Sequence, residues 1–176
     1  MGTPVELRPV AETDLDQLLR FFTDEGLAGE FQWFGYRLQH AVDIRRRWQQ
    51  DGLVGGDRSF LAVIADDGAC AGWVSWRPAG PHGNWEIGAA LLPEYRGRGI
   101  GTEAQGKLVR YLFDVTTAHR IEAGTEADNI AEQRALEKSG FRREGVQRGA
   151  YFRGGRWRDS VMHGITRDDT GTRLGG

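Results

Sequence analysis

Cysteine is all but missing from this chain: Cys70 is the single one among 176 residues, which excludes an internal disulfide framework. No apolar run reaches the length of a membrane-spanning helix, and Met1-Gly2-Thr3-Pro4 is not followed by the apolar stretch of a secretory signal. An excess of one charge is missing too. The 23 Lys and Arg against 25 Asp and Glu leave a net charge of −2, which gives no global pull toward nucleic acid or a membrane surface. His40, His82, His119 and His163 lack the i, i+4 or Cys-paired spacing of metal ligands, so no metal site is expected. The G-x-S-x-G pattern of a serine nucleophile does not occur. Repeats, low-complexity stretches and linkers are absent as well. Together these point to one cytoplasmic domain over residues 1–167, long enough to bury a core without staples, with a glycine-rich tail at 168–176 expected to be disordered.

What is present alternates between strand-like and helix-like patterning. Val5 to Val10 reads as an opening strand, and Thr13 as the N-cap of a helix reaching about Thr23, with Asp16 in the third position after it. Val42 to Gln50 reads as a second helix. Ser59 to Ile64 and Cys70 to Trp76, joined by Asp66-Asp67-Gly68, form a hairpin signal, because Asp-Gly permits the positive φ of a tight turn. A last hairpin is expected from Gly145 to Phe152 and Trp157 to Ile165 around Arg153-Gly154-Gly155-Arg156.

Arg96-Gly97-Arg98-Gly99-Ile100-Gly101 stands between the apolar, strand-like Trp85 to Leu92, closed by Pro93, and a helix carrying Leu108, Val109, Leu112 and Phe113. Glycines at that junction leave backbone N–H groups open at the positive end of a helix dipole, where an anion is the natural partner. A dinucleotide fingerprint fails because Thr102 occupies the third glycine's place. A Walker loop fails because Leu108 replaces the magnesium-binding hydroxyl after Gly106-Lys107.

Read as R-x-x-G-x-G, Arg96, Gly99 and Gly101 resemble the acetyl-coenzyme A pyrophosphate loop of the GNAT N-acetyltransferase superfamily. A second segment, Asn129-Ile130-Ala131-Glu132-Gln133-Arg134-Ala135-Leu136-Glu137-Lys138-Ser139-Gly140-Phe141, is similar to the N-x-x-S-x-R-x-L-E-K-x-G-F helix of the RimJ/RimL-type branch. Glu144-Gly145 and Trp157-Arg158-Asp159 continue that resemblance, which covers roughly residues 60 to 166 in order and spacing.

The resemblance implies an α/β (mixed α+β) fold. It is a single domain with a mostly antiparallel sheet of about seven strands, splayed in a V and flanked by about four helices. It implies acetyl-CoA as acyl donor, held at Arg96, Gly97, Arg98, Gly99, Ile100, Gly101 and Thr102. The pantetheine arm would lie along backbone groups of Leu91 and Leu92, with Asn129 on its other side. A backbone N–H near Leu91 would stabilise the oxyanion. Glu86, on the strand leading to the cradle, is the expected base for the acceptor amine, acting through a water. Phe31, Trp33, Phe34 and Tyr36 are expected to line the acceptor pocket.

No acid for the leaving thiolate stands where the family keeps one. Leu136 takes the place of its tyrosine and Glu132 that of the branch's serine. Asn129-x-x-Glu132 reads instead as a capping box, with Tyr95 and Tyr151 as the remaining acid candidates. Six arginines between 142 and 158, opposed only by Glu144, give the last hairpin a basic stripe. Three functions stay open. They are acetyl transfer to the primary amine of a small molecule, acetyl transfer to a protein or peptide N-terminus, and non-catalytic acyl-CoA binding. No membrane or nucleic-acid partner is expected, and the family's frequent dimers allow a homodimer.

Overall fold

The run Ser59–Ile64 is buried at every position, so its sheet must be covered on both faces. In the computed structural model, which describes residues 4–24, 27, 29–31, 40–80 and 83–171, that strand is β2 of a seven-stranded sheet. The others are β1 (Glu6–Arg8), β3 (Cys70–Pro78), β4 (Trp85–Leu91), β5 (Arg120–Glu126), β6 (Arg142–Arg153) and β7 (Arg156–Thr166). Their order across the sheet is β1-β2-β3-β4-β5-β7-β6. Each neighbouring pair is antiparallel except β4 and β5, which run parallel. The helices are α1 (Leu15–Thr23), α2 (His40–Asp51), α3 (Ile100–Val115) and α4 (Ile130–Lys138). Among the described residues the fold class and the numbers of strands and helices are those expected, and no described helix is long and apolar enough to cross a membrane.

Side-chain alternation assigns the two faces. Leu91 lies under Gly101 of α3, and the Trp85 indole donates to Thr116 just beyond that helix, so the odd-numbered residues of β4 face α3. The even-numbered residues face the other way, together with Trp73, which is fully buried among Phe21 and Phe22 of α1 and Phe60 of β2. Trp73, Trp76 and Trp85 thus serve the core, as their strand positions lead one to expect.

The expected start of α1 is not the observed one. Glu12–Asp14 forms a 3-10 turn, and the group that receives hydrogen bonds there is the Asp14 carboxylate, from the Ala11 N–H at 2.8 Å and from Arg8 at 2.6 Å. Thr13 is not the cap, because the arginine that recruits Asp14 comes from β1. The tail also departs from expectation at its start. Asp168–Thr170 forms a 3-10 turn in which Asp169 accepts from Thr166 and pairs with Arg142 at 2.7 Å. Residues 172–176 lie outside the described residues.

Candidate active site

β4 and β5 are in register at only two pairs, Trp85↔Ile121 and Glu86↔Glu122. Beyond them the strands part, and a V-shaped slot opens toward the C-terminal end of β4. β4 stays paired with β3 up to Gly72↔Leu91, where β3 carries a bulge that leaves Ala71 without a register partner. The Leu92 N–H donates to the Ala71 carbonyl at 2.9 Å, so Leu92 points its backbone toward β3. Backbone groups alternate in direction along a strand, which turns those of Leu91 and Ala89 toward the slot.

The bulge depends on Gly72, whose φ is +153° and at which a Cβ would collide with the Ala90 carbonyl oxygen. It brings β3 close against the last residues of β4 and so fixes the strand end on which the slot is built.

Above the slot the chain turns through Pro93–Tyr95 into the N-terminus of α3. Gly97 and Gly99 have φ of +72° and +81°, and among the described residues a Cβ at either would meet nothing within 4 Å. The first bond into the helix is from the Glu103 N–H to the Gly99 carbonyl at 3.1 Å. Helix geometry leaves the N–H groups of Ile100, Gly101 and Thr102 without an acceptor inside the helix. These groups, with the dipole behind them, fit the pyrophosphate of the donor that the resemblance implies.

The arginines of the cradle are placed differently from each other. Arg98 lies over the Tyr95 ring and pairs with Asp66 at 3.3 Å, each side chain 43% exposed. Such a surface pair is weak enough to yield to a phosphate. Arg96 is turned inward, its Nε donating to the Leu91 carbonyl at 2.8 Å and its Nη2 to the Leu27 carbonyl. Burial lowers its pKa. Its guanidinium also packs against Gly29. Arg96 therefore ties Leu27 and Gly29 to the end of β4.

On the face away from α3, Glu86 stands beside Glu122 across the short parallel pair and is held by Arg77, Nη2 to Oε2 at 2.5 Å. Arg58 reaches the same patch and donates to Ser75 Oγ at 3.1 Å. Further along β5, Gly124 leaves room for Met162, Ser160 and the Tyr151 hydroxyl, which would lie 2.9, 3.0 and 3.2 Å from a Cβ placed there. Glu126, 3% exposed, is bound by Arg153 of β6 through two hydrogen bonds of 2.7 and 2.8 Å. Arg153 also lies over the Phe31 ring at 5.5 Å and near Glu30 at 3.8 Å. Phe31 thus covers this face from the α1–α2 connection, while Trp33, Phe34 and Tyr36 lie outside the described residues.

The second motif is assembled across the slot from β4. Asn129 caps α4, its Oδ1 accepting from the Glu132 N–H at 3.3 Å and its Nδ2 donating to Thr125 Oγ1 at 3.0 Å. The other half of the expected capping box is not made. The Asn129 N–H donates to the Glu126 carbonyl at 2.9 Å, and the Glu132 carboxylate turns to α3, where it accepts from Gln105 Nε2 at 2.6 Å. Burial pushes the Glu132 carboxyl up to about 7, against the opposing hydrogen bond from Gln105. Gln105, 1% exposed, was not singled out by sequence reasoning; its one signal is a buried amide on an otherwise apolar helix stripe.

Tyr95 donates its hydroxyl to Asp67 at 3.1 Å, whereas Tyr151 is brought to the β5 side of the slot. Leu136 is buried in the core. Within the arginine stripe, Arg142, Arg153 and Arg158 are paired internally, with Asp169, Glu126 and Asp128.

The model of the acetyltransferase (GNAT) domain matches residues 5–142. The uncharacterized N-acetyltransferase YnaD of Bacillus subtilis is 30% identical over 111 residues, 62% of this chain and 65% of that protein. Two further Bacillus subtilis relatives are matched over 46% and 49% of their own length, so the matches span about half to two thirds of these proteins. The uncharacterized N-acetyltransferase p20 of Bacillus licheniformis is 33% identical over 161 residues, 90% of each chain. In fold the chain is similar to Mycobacterium smegmatis RimJ in complex with CoA-disulfide, with a TM-score of 0.76 at 23% identity over 96% of this chain and 86% of that one. It is also similar to Vibrio cholerae spermidine N-acetyltransferase in complex with CoA and spermine, with a TM-score of 0.74 at 18% identity over 94% and 96%. The helix-end cradle, the parted strands and the family match over most of the chain lead to one assignment: this chain belongs to the GNAT acetyltransferase family.

Proposed function

We propose that the protein transfers the acetyl group of acetyl-CoA directly to the primary amine of a small molecule. The observation that carries this reading is the parting of β4 and β5 after Glu86↔Glu122, directly beneath the open N-terminus of α3. When bound, the donor supplies an acetyl thioester. The N–H groups of Ile100 to Thr102 and the Arg98 guanidinium hold its pyrophosphate. The end of β4, where the Leu91 carbonyl is held by Arg96, walls the arm on one side, and Asn129 frames the other wall. Leu92 contributes by fixing the strand end rather than by pairing, since its N–H is committed to Ala71.

The Leu91 N–H, directed into the slot, would face the oxygen on which negative charge develops. The acceptor approaches from the opposite face, where Glu86 and Glu122 stand side by side, the first held by Arg77 and the second by Arg120. An ammonium has no lone pair, so Glu86 must take one of its protons. Arg77 holds Oε2 of Glu86, which leaves Oε1 for an intervening water. The spermine complex of the structurally similar Vibrio cholerae enzyme supports a small cationic amine as acceptor.

The test is thiol release from acetyl-CoA with a panel of amines and α-amino peptides, read together with product mass. Acetylated diamines or aminated metabolites are expected. Acetylation of peptide α-amines alone would replace the small-molecule reading with the N-terminal one. Tight CoA binding without transfer to any acceptor would leave a binding module.

A further inference from the structure

We propose that Glu132 is the proton donor to the departing thiol and that Gln105 is the residue that aims it. The inference rests on the proposed donor site. Gly101 and Gln105 lie one turn apart on α3, so they share the face that meets Leu91 at the end of β4. Glu132 approaches from the other side, in the first turn of α4 directly after β5. The bond between Gln105 and Glu132 therefore bridges α3 to α4, the helix that follows the β5 edge of the slot. An arm anchored at the α3 N-terminus and running down between β4 and β5 must pass this bridge.

Three observations set Glu132 apart from a structural carboxylate. Its expected capping partner, the Asn129 N–H, is taken by the Glu126 carbonyl, so the cap does not need it. Its one hydrogen-bond partner from a facing element is a neutral amide, and no charged group on α3, α4 or β5 contributes to its proton affinity among the described residues. The third observation concerns Gln105 Oε1, which is buried and has no partner among the described residues. An amide that donates through Nε2 to a carboxylate can turn over and accept through Oε1 from a carboxylic acid. The pair is thus matched to both protonation states of one carboxyl, which is what a group that gives up and regains a proton requires. Burial supports this by keeping the carboxyl partly protonated at neutral pH, near the range of a thiol it must protonate.

The step balances. Glu86, through water, first takes a proton from the ammonium and releases it to solvent; as the nitrogen then bonds to the acetyl carbon, its second proton follows the same path through Glu86 to solvent. The carbon–sulfur bond breaks with its electron pair going to sulfur, and the Glu132 carboxyl proton moves to that sulfur. Glu132 is left as a carboxylate, held by Gln105 Nε2, until solvent returns the proton.

The experiment joins a direct titration with kinetics. In carbon-13 NMR of the protein with labelled glutamate carboxyls, one resonance is expected to titrate near neutrality and to vanish in Glu132→Gln. Glu132→Gln should lower kcat by about a hundredfold, with the KM for acetyl-CoA and the calorimetric Kd for CoA changed less than about twofold. The alkaline fall of kcat should disappear with it. Gln105→Met removes the hydrogen bond that favours the carboxylate, so the alkaline limb should move to higher pH; a merely structural pair would not shift it. This variant also serves if Glu132→Gln folds poorly. Wild-type-like kcat across pH in Glu132→Gln, or no glutamate resonance titrating above the ordinary range, would overturn the proposal while normal CoA binding left the donor site standing. No CoA binding to the wild type would overturn both.

Discussion

Glu86 and Glu132 have the same carboxyl group in opposite surroundings. The first is gripped by Arg77 on an accessible face, and the second meets a neutral amide. For Glu86→Gln, turnover should fall about a hundredfold below neutral pH and less above pH 9, where the amine loses its proton unaided. CoA affinity, measured by calorimetry, should be unchanged. Gly99→Asp would set a carboxylate at the end of α3 and a side chain on a φ of +81°, so CoA binding should be lost. The glycine turn before α3 was legible in the sequence because its signal is local: glycines at fixed offsets before a helix. Glu132 was misread as a box-forming residue because its true partner, Gln105, is 27 positions away on another helix. Thr13 was misread for the same reason, since Asp14 takes its role only once Arg8 of β1 is alongside. A side chain's partner across the fold leaves no mark in local spacing.

Elements were legible wherever apolar periodicity is strong. Ser59–Ile64 and Trp85–Leu91 fall within a residue of expectation. The parting of β4 from β5 was not readable from either strand; only the family resemblance implied it. The Gly72 bulge is hidden likewise, within a strand that looks regular. Gly72→Ala should cost roughly 2–4 kcal/mol in urea unfolding, because a Cβ and the Ala90 carbonyl cannot occupy the same space. Arg153 links β6 to β5 through Glu126. Arg153→Ala strands a buried carboxylate and should cost roughly 3–5 kcal/mol, while the double variant Arg153→Met with Glu126→Leu should recover most of that loss.

At the scale of the molecule, two classes of carboxyl set the response to pH. Burial pushes Asp14 up, but Arg8 and the Ala11 N–H outweigh it and hold the group below its ordinary value. Arg120 holds Glu144 low in the same way, chiefly by hydrogen bonding. Their stabilisation is complete above the unfolded values of 3.8 and 4.5 and is lost as the pH falls through the folded ones. Glu132 has the opposite sign. Its folded value, about 7, exceeds the unfolded 4.5, so the folded state binds the extra proton and stability declines as pH rises across that interval. Thermal melts should therefore show Glu132→Gln gaining on the wild type between pH 5 and 8, by on the order of 2–3 kcal/mol.

The shortness of the parallel ladder has a mechanical meaning. With two register pairs between β4 and β5, the sheet is two rafts, β1 to β4 and β5 to β6, moored at one point. A donor lying in the gap would supply the missing rungs from its own amides. Amide exchange along Ile87 to Leu91 and Ala123 to Glu126 should slow together when CoA binds, as the ligand becomes the strand that joins the rafts.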